Sequence, residues 1–204
     1  MNKGALFIIS GPSGTGKGTV CDELIRRGDV FLSVSSTTRD RRVNEIDGVT
    51  YNFTTPEKFR SMIDNGEMLE WATYNGNYYG TPRAEVERRI EEGTNVILEI
   101  EPQGAFKVRE KLPQAVLIFI VPPSMQILRA RLIQRGRETP EQIQKRLDAA
   151  SWEFEQAELY DYIVENNDLH DCVKEISQIM EKVVRMRNKV YELLEEAKDI
   201  GGLK

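Results

Sequence analysis

Histidine is nearly absent from this chain of 204 residues, which contains only His170, in a polar stretch near the C-terminus. A Ser-His-Asp or Cys-His catalytic site would need that residue, and nothing around it in the sequence places it in a cleft. We therefore expect His170 to lie on the surface. Transfer of a phosphoryl group to an ionised phosphate oxygen needs no strong base, so this chemistry is compatible with the scarcity of histidine.

Cysteine is also scarce, with Cys21 and Cys172 far apart and no C-x-x-C pair. This pattern favours a reducing compartment over a disulfide framework. No His/Cys cluster suggests zinc. No apolar run approaches the length of a membrane span, and the first residues lead directly into a predicted strand rather than a signal peptide. We therefore expect a cytoplasmic protein that does not bind a membrane.

Positive charge is not in excess, because the formal net charge is −5. That balance argues against a general nucleic-acid binder, so any anion must be bound by local basic clusters. Hydrophobic residues make up 40% of the chain and charged residues 30%. These proportions are typical of a globular protein, long enough for one substantial core with inserted lobes.

The most specific pattern is the glycine-rich segment 11–18, Gly-Pro-Ser-Gly-Thr-Gly-Lys-Gly. It follows an apolar run at 5–9 that predicts a buried strand and precedes a predicted helix at 19–26. In this context the glycines let backbone N–H groups surround a phosphate, the helix N-terminus adds partial positive charge, and Lys17 adds a full one. The plainer alternative is a turn that binds nothing, which both spacing and context disfavour.

One position departs from the G-x-x-x-x-G-K-[ST] pattern, because Gly18 stands where a hydroxyl normally contacts Mg²⁺. Two alternatives remain open. Either Thr19 substitutes, or the metal is held mainly by phosphates, water and acidic residues elsewhere, as Mg²⁺ often is. The sequence therefore predicts no confident protein ligand for the metal.

Two arginine groups lie outside this loop. Arg39, Arg41 and Arg42 follow a predicted strand at 30–36, and ligands in parallel α/β sheets collect where strands end. The second group is Arg129, Arg131, Arg135, Arg137 and Arg146. A solvated basic face is the plain alternative for each group. Together with a phosphate loop, they favour a site that gathers two polyphosphates.

The remaining pattern predicts an α/β fold with a parallel sheet covered by helices on both faces. Near-continuous apolar strands at 95–101, 115–121 and 162–164 alternate with helices. One of these helices is predicted at 105–111, and the predicted N-cap residues of three other helices are Thr55, Ser124 and Thr139. Residues 43–80 differ in character: a short strand at 48–53, a helix at 55–65 and a strand at 68–74 predict a small inserted α/β lobe. A long amphipathic helix at 171–197 could pack on the core or partly on a second subunit.

Three carboxylates stand out in the predicted strands. Glu70 lies in an apolar strand, where it either faces water or pairs with a donor. Guanine offers two adjacent donors that match a carboxylate, and adenine does not. Glu99 and Glu101 end a core strand, and alternation would place both on one face, either solvated or near Mg²⁺-bound water and substrate.

At this point the residues resemble a known family, the guanylate kinases, over nearly the whole chain. The motifs that carry the resemblance are Gly11–Lys17, 35–42, 48–51, 76–81, 103–105, 135–137 and 145–147. The resemblance implies a P-loop kinase core at 1–34, 82–134 and 149–204, a GMP-binding lobe at 35–81 and a lid at 135–148. It implies transfer of the γ-phosphoryl of ATP to GMP with Mg²⁺, in purine nucleotide metabolism, and is compatible with a homo-oligomer.

The resemblance also implies residue roles. The guanine base would be recognised by Ser35, Glu70 and Thr81, and the GMP side would further include Arg39, Arg42, Tyr51, Tyr79, Glu99 and Glu101. ATP would be held by Gly11, Pro12, Ser13, Gly14, Thr15, Gly16, Lys17, Gly18 and Thr19, with Asn166 near the adenine. The catalytic groups would be Lys17, Arg39, Arg42, Arg135 and Arg146.

The chain departs from the family at three places: Gly18 lacks the hydroxyl, Glu99 and Glu101 stand where aspartates are usual, and 165–167 reads Glu-Asn-Asn. Two rival functions stay open. One is a kinase for another nucleoside monophosphate. The other is a non-catalytic guanylate-kinase-like module that binds phosphopeptides, although such modules typically lack an intact phosphate loop.

Overall fold

The computed structural model describes residues 3–28, 30–74, 76–136 and 138–201. Asn75 and Arg137, which belong to two of the segments above, lie outside the described residues. The strands are β1 (Leu6–Ser10), β2 (Val30–Leu32), β3 (Ser36–Thr37), β4 (Asn52–Phe53), β5 (Met68–Tyr74), β6 (Asn77–Pro82), β7 (Asn95–Glu99), β8 (Val116–Val121) and β9 (Tyr162–Glu165). The helices are α1 (Lys17–Arg26), α2 (Pro56–Asp64), α3 (Arg83–Glu91), α4 (Pro102–Lys111), α5 (Met125–Gln134), α6 (Pro140–Glu155) and α7 (Leu169–Gly201), and a 3-10 turn spans Ala157–Leu159.

The core is a parallel sheet with the strand order β2-β7-β1-β8-β9. Successive residues of a strand point to opposite faces, and both faces are covered here. Phe7 and Ile9 pack with α1 and α7, whereas Leu6 and Ile8 pack with α3 and α4. This arrangement confirms the predicted α/β class and explains why β1 and β8 are apolar at nearly every position.

A second sheet, with the order β4-β3-β6-β5, is built from residues between 36 and 82. The prediction of one strand over 30–36 was wrong, because the chain changes sheets within it. Ser33 still donates to Ile97 O in the central sheet at 3.0 Å. Two residues later the carbonyl of Ser35 accepts from the backbone N of Asn52 at 2.8 Å, in the second sheet. Propensity does not encode that change of partner.

Two predicted element boundaries also shift. The strand predicted over 48–53 is limited to β4, because Gly48 has φ +75° and turns the chain just before it. The helix predicted from Thr19 begins at Lys17, so the lysine lies in the first turn of α1. α4 likewise begins at Pro102 rather than at Ala105, since proline is well accommodated at the first helical position.

Three predicted helix starts are confirmed by side-chain caps. Thr55 accepts from the backbone N of Lys58 before α2, and Ser124 accepts from that of Ile127 before α5. Thr139 and Gln142 form a reciprocal capping box at the start of α6. The capping box of Thr139 fixes where α6 begins and therefore which side chains of α6 face the phosphate loop. In the part of the chain that the structure describes, no helix is long and apolar enough to span a membrane.

Phe59 tests whether the second sheet is a cooperative unit. Its side chain is fully buried and its ring stacks on Tyr78 with centroids 5.3 Å apart. We expect Phe59→Ala to destabilise this region by about 3–5 kcal/mol, because a large buried side chain is removed. Hydrogen exchange should show lost amide protection in β5 and β6 before β1.

The matched control is Ile46→Ala, since Ile46 is mostly exposed, and we expect its effect to stay within about 0.5 kcal/mol. If β5 and β6 kept their protection in Phe59→Ala, the packing argument for this sheet would be incorrect.

Candidate active site

The loop between β1 and α1 has the conformation that phosphate binding requires. Gly11, Gly14 and Gly16 have φ of 144°, 98° and 92°, values that residues with a Cβ rarely adopt. A Cβ on Gly11 would overlap the carbonyl oxygen of Ile120 in β8. The loop therefore lies tightly against the end of β8, with α1 directing its N-terminus towards the loop.

Lys17 lies inside this loop. Its side chain is buried, and Nζ donates to the carbonyl oxygens of Gly11 and Pro12, the latter at 3.2 Å. Thr15 Oγ1 donates to the same Pro12 oxygen at 2.9 Å. The ammonium group is thus partnered by backbone carbonyls at the position where the motif needs a positive charge.

Asn166 supports the loop from the end of β9. Its Nδ2 donates to Thr15 O at 2.7 Å and its backbone N donates to Val121 O at 2.8 Å. Its carbonyl accepts from Arg131 Nη2 at 2.8 Å. The side chain is buried, and the structure thus places it beneath the phosphate loop. These contacts make Asn166 a support for the loop, and its expected place near the adenine of ATP stays a prediction.

Glu99 lies beside the loop at Gly18. A Cβ on Gly18 would lie 3.6 and 3.7 Å from the two carboxylate oxygens of Glu99. Burial raises the pKa of Glu99, and Glu101 and Asp22 raise it further, while Lys17 lowers it. β7 ends at Glu99, and Glu101 is the N-cap residue of α4. The prediction of one strand over 95–101 was therefore wrong, because the strand ends at Glu99 and its alternation does not set the direction of Glu101.

Glu70 is the buried carboxylate of the second sheet. Only 6% of the residue is exposed, and Oε1 accepts from Thr81 Oγ1 at 2.7 Å. Burial raises the pKa of Glu70, opposed by the Thr81 bond and by Lys107. A Cβ on Gly104 would lie 3.1 Å from Oε2, so that glycine leaves one side of the carboxylate open. Ser35 directly precedes β3, and Thr81 is in β6.

Arg39 forms a two-pronged ion pair with Glu45. Nη1 lies 3.0 Å from Oε2 and Nη2 lies 2.7 Å from Oε1, and Oε2 also accepts from the backbone N of Arg42 at 2.8 Å. The guanidinium lies 5.6 Å from the ring centroid of Tyr51. Arg39 lowers the pKa of Glu45 to about 2, so the pair stays charged at neutral pH. Glu45 was not predicted from the sequence, although an acid three residues after Arg42 was a signal.

The arginines of the second group separate in the structure. Arg146 on α6 contacts Ser13 Oγ in the phosphate loop and lies 3.2 Å from Glu138. Arg135 and Arg42 line one cleft of about 540 Å³ with it. Arg131 instead binds Asn166, and Arg129 is exposed.

His170 is exposed as expected, with 77% of its side chain accessible.

Glu153 on α6 is a further carboxylate that the sequence analysis missed. Its Oε2 is buried and, among the described residues, has no hydrogen-bond partner. Burial and the nearby Glu101 raise the pKa of Glu153 to about 7, and Lys17 opposes them. A carboxylate at this place on an amphipathic helix gives no sequence signal, because only the tertiary fold brings it towards the loop.

The comparisons with known proteins agree with this geometry. The family model described as guanylate kinase matches residues 3–183. A guanylate kinase of Clostridium perfringens is 51% identical over 180 residues, covering 88% of this chain and 83% of that protein. A guanylate kinase of Thermus thermophilus is 45% identical over 195 residues, covering 96% of this chain and 89% of that protein.

Solved structures give the same result. A crystal structure of guanylate kinase from Anaplasma phagocytophilum matches with a TM-score of 0.72 and 35% identity, covering 89% of this chain and 86% of that one. A gluconokinase from Sinorhizobium meliloti matches at 18% identity with a TM-score of 0.50, covering 95% of this chain and 99% of that one, which is a likeness of fold alone.

The pKa of Glu153 predicts a pH-dependent stability. Folding raises this pKa, so the native state favours the protonated carboxyl. The group therefore stabilises the native state at pH values below its pKa in the unfolded chain, and this contribution is lost as pH rises through about 7. We expect Glu153→Gln, which cannot ionise, to gain stability relative to the native sequence as pH rises from 4 to 8. The gain should be on the order of 1 kcal/mol, since the group is partly solvated.

Chemical denaturation at several pH values measures this difference, with the exposed Glu155→Gln on the same helix as control. A stability difference that does not change with pH would contradict the assignment.

Proposed function

This chain belongs to the guanylate kinase family and is an ATP:GMP phosphotransferase, and we propose that its phosphate loop binds ATP while its second sheet binds GMP. The reaction transfers the γ-phosphoryl of ATP to GMP and gives ADP and GDP. The observation that carries the assignment of sites is the pairing of a complete phosphate loop with a buried carboxylate, Glu70, in the neighbouring sheet. The GMP-binding lobe is 35–81, the lid is 135–148, and the rest is the core.

Recognition of guanine depends on Glu70. The base presents an N1–H and a 2-amino group, which together match the two oxygens of a carboxylate. Thr81 already binds Oε1, and Gly104 leaves access to Oε2. Ser35 adds a hydroxyl just before β3. Adenine has no donor at N1, so it would leave Oε2 of this buried carboxylate without a partner and be rejected.

The phosphate of GMP is held by Arg39, Arg42, Tyr51 and Tyr79. Arg39 uses three of its five N–H groups on the Glu45 carboxylate and the Asp40 carbonyl. Nε–H and one hydrogen on Nη2 remain, and the phosphate shares them with the hydroxyl of Tyr79, which also interacts with the guanidinium. Glu45 thereby fixes the orientation of the guanidinium. The rings of Tyr51 and Tyr79, with centroids 6.0 Å apart, place two hydroxyl-bearing side chains next to it.

Transfer itself is a matter of position and charge. Backbone N–H groups of residues 13–19 and the N-terminus of α1 hold the phosphates of ATP. Lys17 exchanges its carbonyl partners for phosphate oxygens, and Arg135 and Arg146 bridge the donor and acceptor phosphates from the lid. Closure of lid and lobe around the cleft excludes water and so limits wasteful hydrolysis of ATP.

The residues at the loop fit Mg²⁺. Gly18 supplies no hydroxyl, but the Glu99 carboxylate lies within 4 Å of the position that a side chain at 18 would begin to fill. Mg²⁺ prefers oxygen ligands and keeps several waters, so Glu99 would hold it through water, with Glu101 nearby. When bound, the ion neutralises charge on the phosphates of ATP. We therefore propose that Glu99 serves the metal side of the site, and its contact with GMP stays a prediction from the resemblance.

We also retain a cytoplasmic location, which is supported by the free thiols of Cys21 and Cys172, both buried in the core.

A substrate panel tests the function. ADP formation is measured with Mg-ATP and each of GMP, dGMP, AMP, UMP and CMP, and we expect turnover to require a guanine base. Turnover with another monophosphate alone would refute the assignment of Glu70. If no monophosphate supported turnover while a phosphopeptide bound tightly, the binding-module alternative would replace the kinase.

Glu70→Gln tests whether Glu70 recognises the guanine base. Glutamine can accept only one of the two guanine donors, so we expect kcat/KM for GMP to fall roughly 10- to 100-fold, with little change in KM for ATP. Glu67→Gln is the matched control, because Glu67 is exposed at the start of the same hairpin. Equal kinetics in the two variants would argue against guanine recognition by Glu70.

Lys17→Ala tests the contribution of the charge of Lys17 to phosphoryl transfer. We expect kcat to fall by about 10²-fold or more, because a charge that stabilises the transferring phosphoryl group is lost. The exposed Lys174→Ala is the control. Full turnover by a folded Lys17→Ala protein would disprove this mechanism.

A further inference from the structure

The second half of α7 carries an apolar stripe without a covering surface in the described part of the chain. In the first half of this helix, Val173, Ile176 and Met180 are buried against β1, β8 and α1. In the second half, Met186, Val190, Leu193 and Leu194 are each about half exposed. A helix of 33 residues is about 50 Å long, which exceeds what one face of a small sheet can cover.

The exposed residues continue a regular pattern. Ile179, Val183, Met186, Val190, Leu193 and Ala197 are separated alternately by four and three residues. This is the heptad spacing of a helix that packs along another helix. Ile179 and Val183 still contact the core, so one continuous seam begins in the core and runs out onto the surface.

This segment lies away from the phosphate loop. α7 begins after the carboxyl end of β9, near Asn166, and runs back along the sheet. Arg187 donates to the carbonyl of Gln114, which precedes β8 and therefore marks the opposite edge of the sheet. Covering the exposed stripe would thus leave the substrate cleft open.

The charges along the second half of α7 determine which kind of helix can pack against its apolar stripe. Residues 185–189 contain Arg185, Arg187 and Lys189, and residues 192–196 contain Glu192, Glu195 and Glu196. A second helix of the same sequence in the opposite direction places basic half against acidic half twice. A parallel copy would place like charges together.

We propose that residues 183–197 of α7 pair with the same residues of a second copy of this chain, as an antiparallel coiled coil about a twofold axis. In the register that aligns the seams, Val190 faces the partner's Leu193 and Met186 faces the partner's Ala197. Lys189, which flanks the seam, then faces the partner's Glu196. The interface is isologous, so each such contact occurs twice.

Exchanging the charges at positions 189 and 196 tests both the interface and the antiparallel direction of the two helices. Sedimentation equilibrium of the whole chain should give a dimer. Lys189→Glu and Glu196→Lys each place like charges opposite one another twice, and each should weaken the dimer at least about tenfold. The double variant restores opposite charges and should restore the dimer. Within one helix the two positions are seven residues apart and do not touch, so rescue reports the contact between copies.

The controls separate this proposal from the enzyme's activity. Lys174→Glu makes the same change of charge on an exposed position of the first half of α7, and its dimer should match that of the native sequence. Phosphotransfer to GMP is measured on the same samples, so a protein with no kinase activity is distinguished from one that fails to associate. A monomeric native chain, a dimer that both single variants leave intact, or a double variant that stays monomeric would each overturn the proposal.

Discussion

The close contact between the phosphate loop and the ends of β8 and β9 is the constraint on which the site depends. Gly11 approaches the Ile120 carbonyl so closely that no side chain fits, and Asn166 binds Thr15 O from the other side. The loop is therefore held at two points of the sheet. The position of the loop in turn fixes the positions of Lys17 and α1, because Lys17 is the first residue of the helix that follows the loop. A parallel sheet brings these strand ends to one edge, which makes the contact possible.

The same edge explains why the acidic residues gather where they do. β7 ends at Glu99 beside the loop, and the chain then enters α4 at Pro102. α4 carries Gly104 against Glu70, so one short connection links the phosphate loop to the second sheet. The site is thus formed where two sheets meet across α4, rather than within either sheet alone.

Sequence patterns predicted the parts of this site that are local. Glycine spacing, helix caps at Thr55, Ser124 and Thr139, and continuous apolar strands are short-range signals, and the structure agrees with them. The parts that were missed depend on tertiary contacts: Asn166 lies 151 residues from Thr15, and Glu153 faces the loop only once α6 has packed. The prediction of a single strand over 30–36 failed for the same reason, since both halves of this segment have similar strand propensity.

Three cations of the site already have acceptors from the protein. Lys17 binds loop carbonyls, Arg39 binds Glu45, and Arg146 binds Ser13 and Glu138. A phosphate must therefore replace some of these partners, so its binding free energy is a difference between two sets of charged hydrogen bonds. Carbonyl and hydroxyl partners are weaker competitors than a phosphate, whereas the Glu45 carboxylate is a strong one. It follows that Lys17 is released readily to phosphate, while Arg39 keeps Glu45 and offers its remaining N–H groups. The loop lysine then responds to ligand, and Arg39 remains fixed beside Glu45, at the place where we propose that the phosphate of GMP binds.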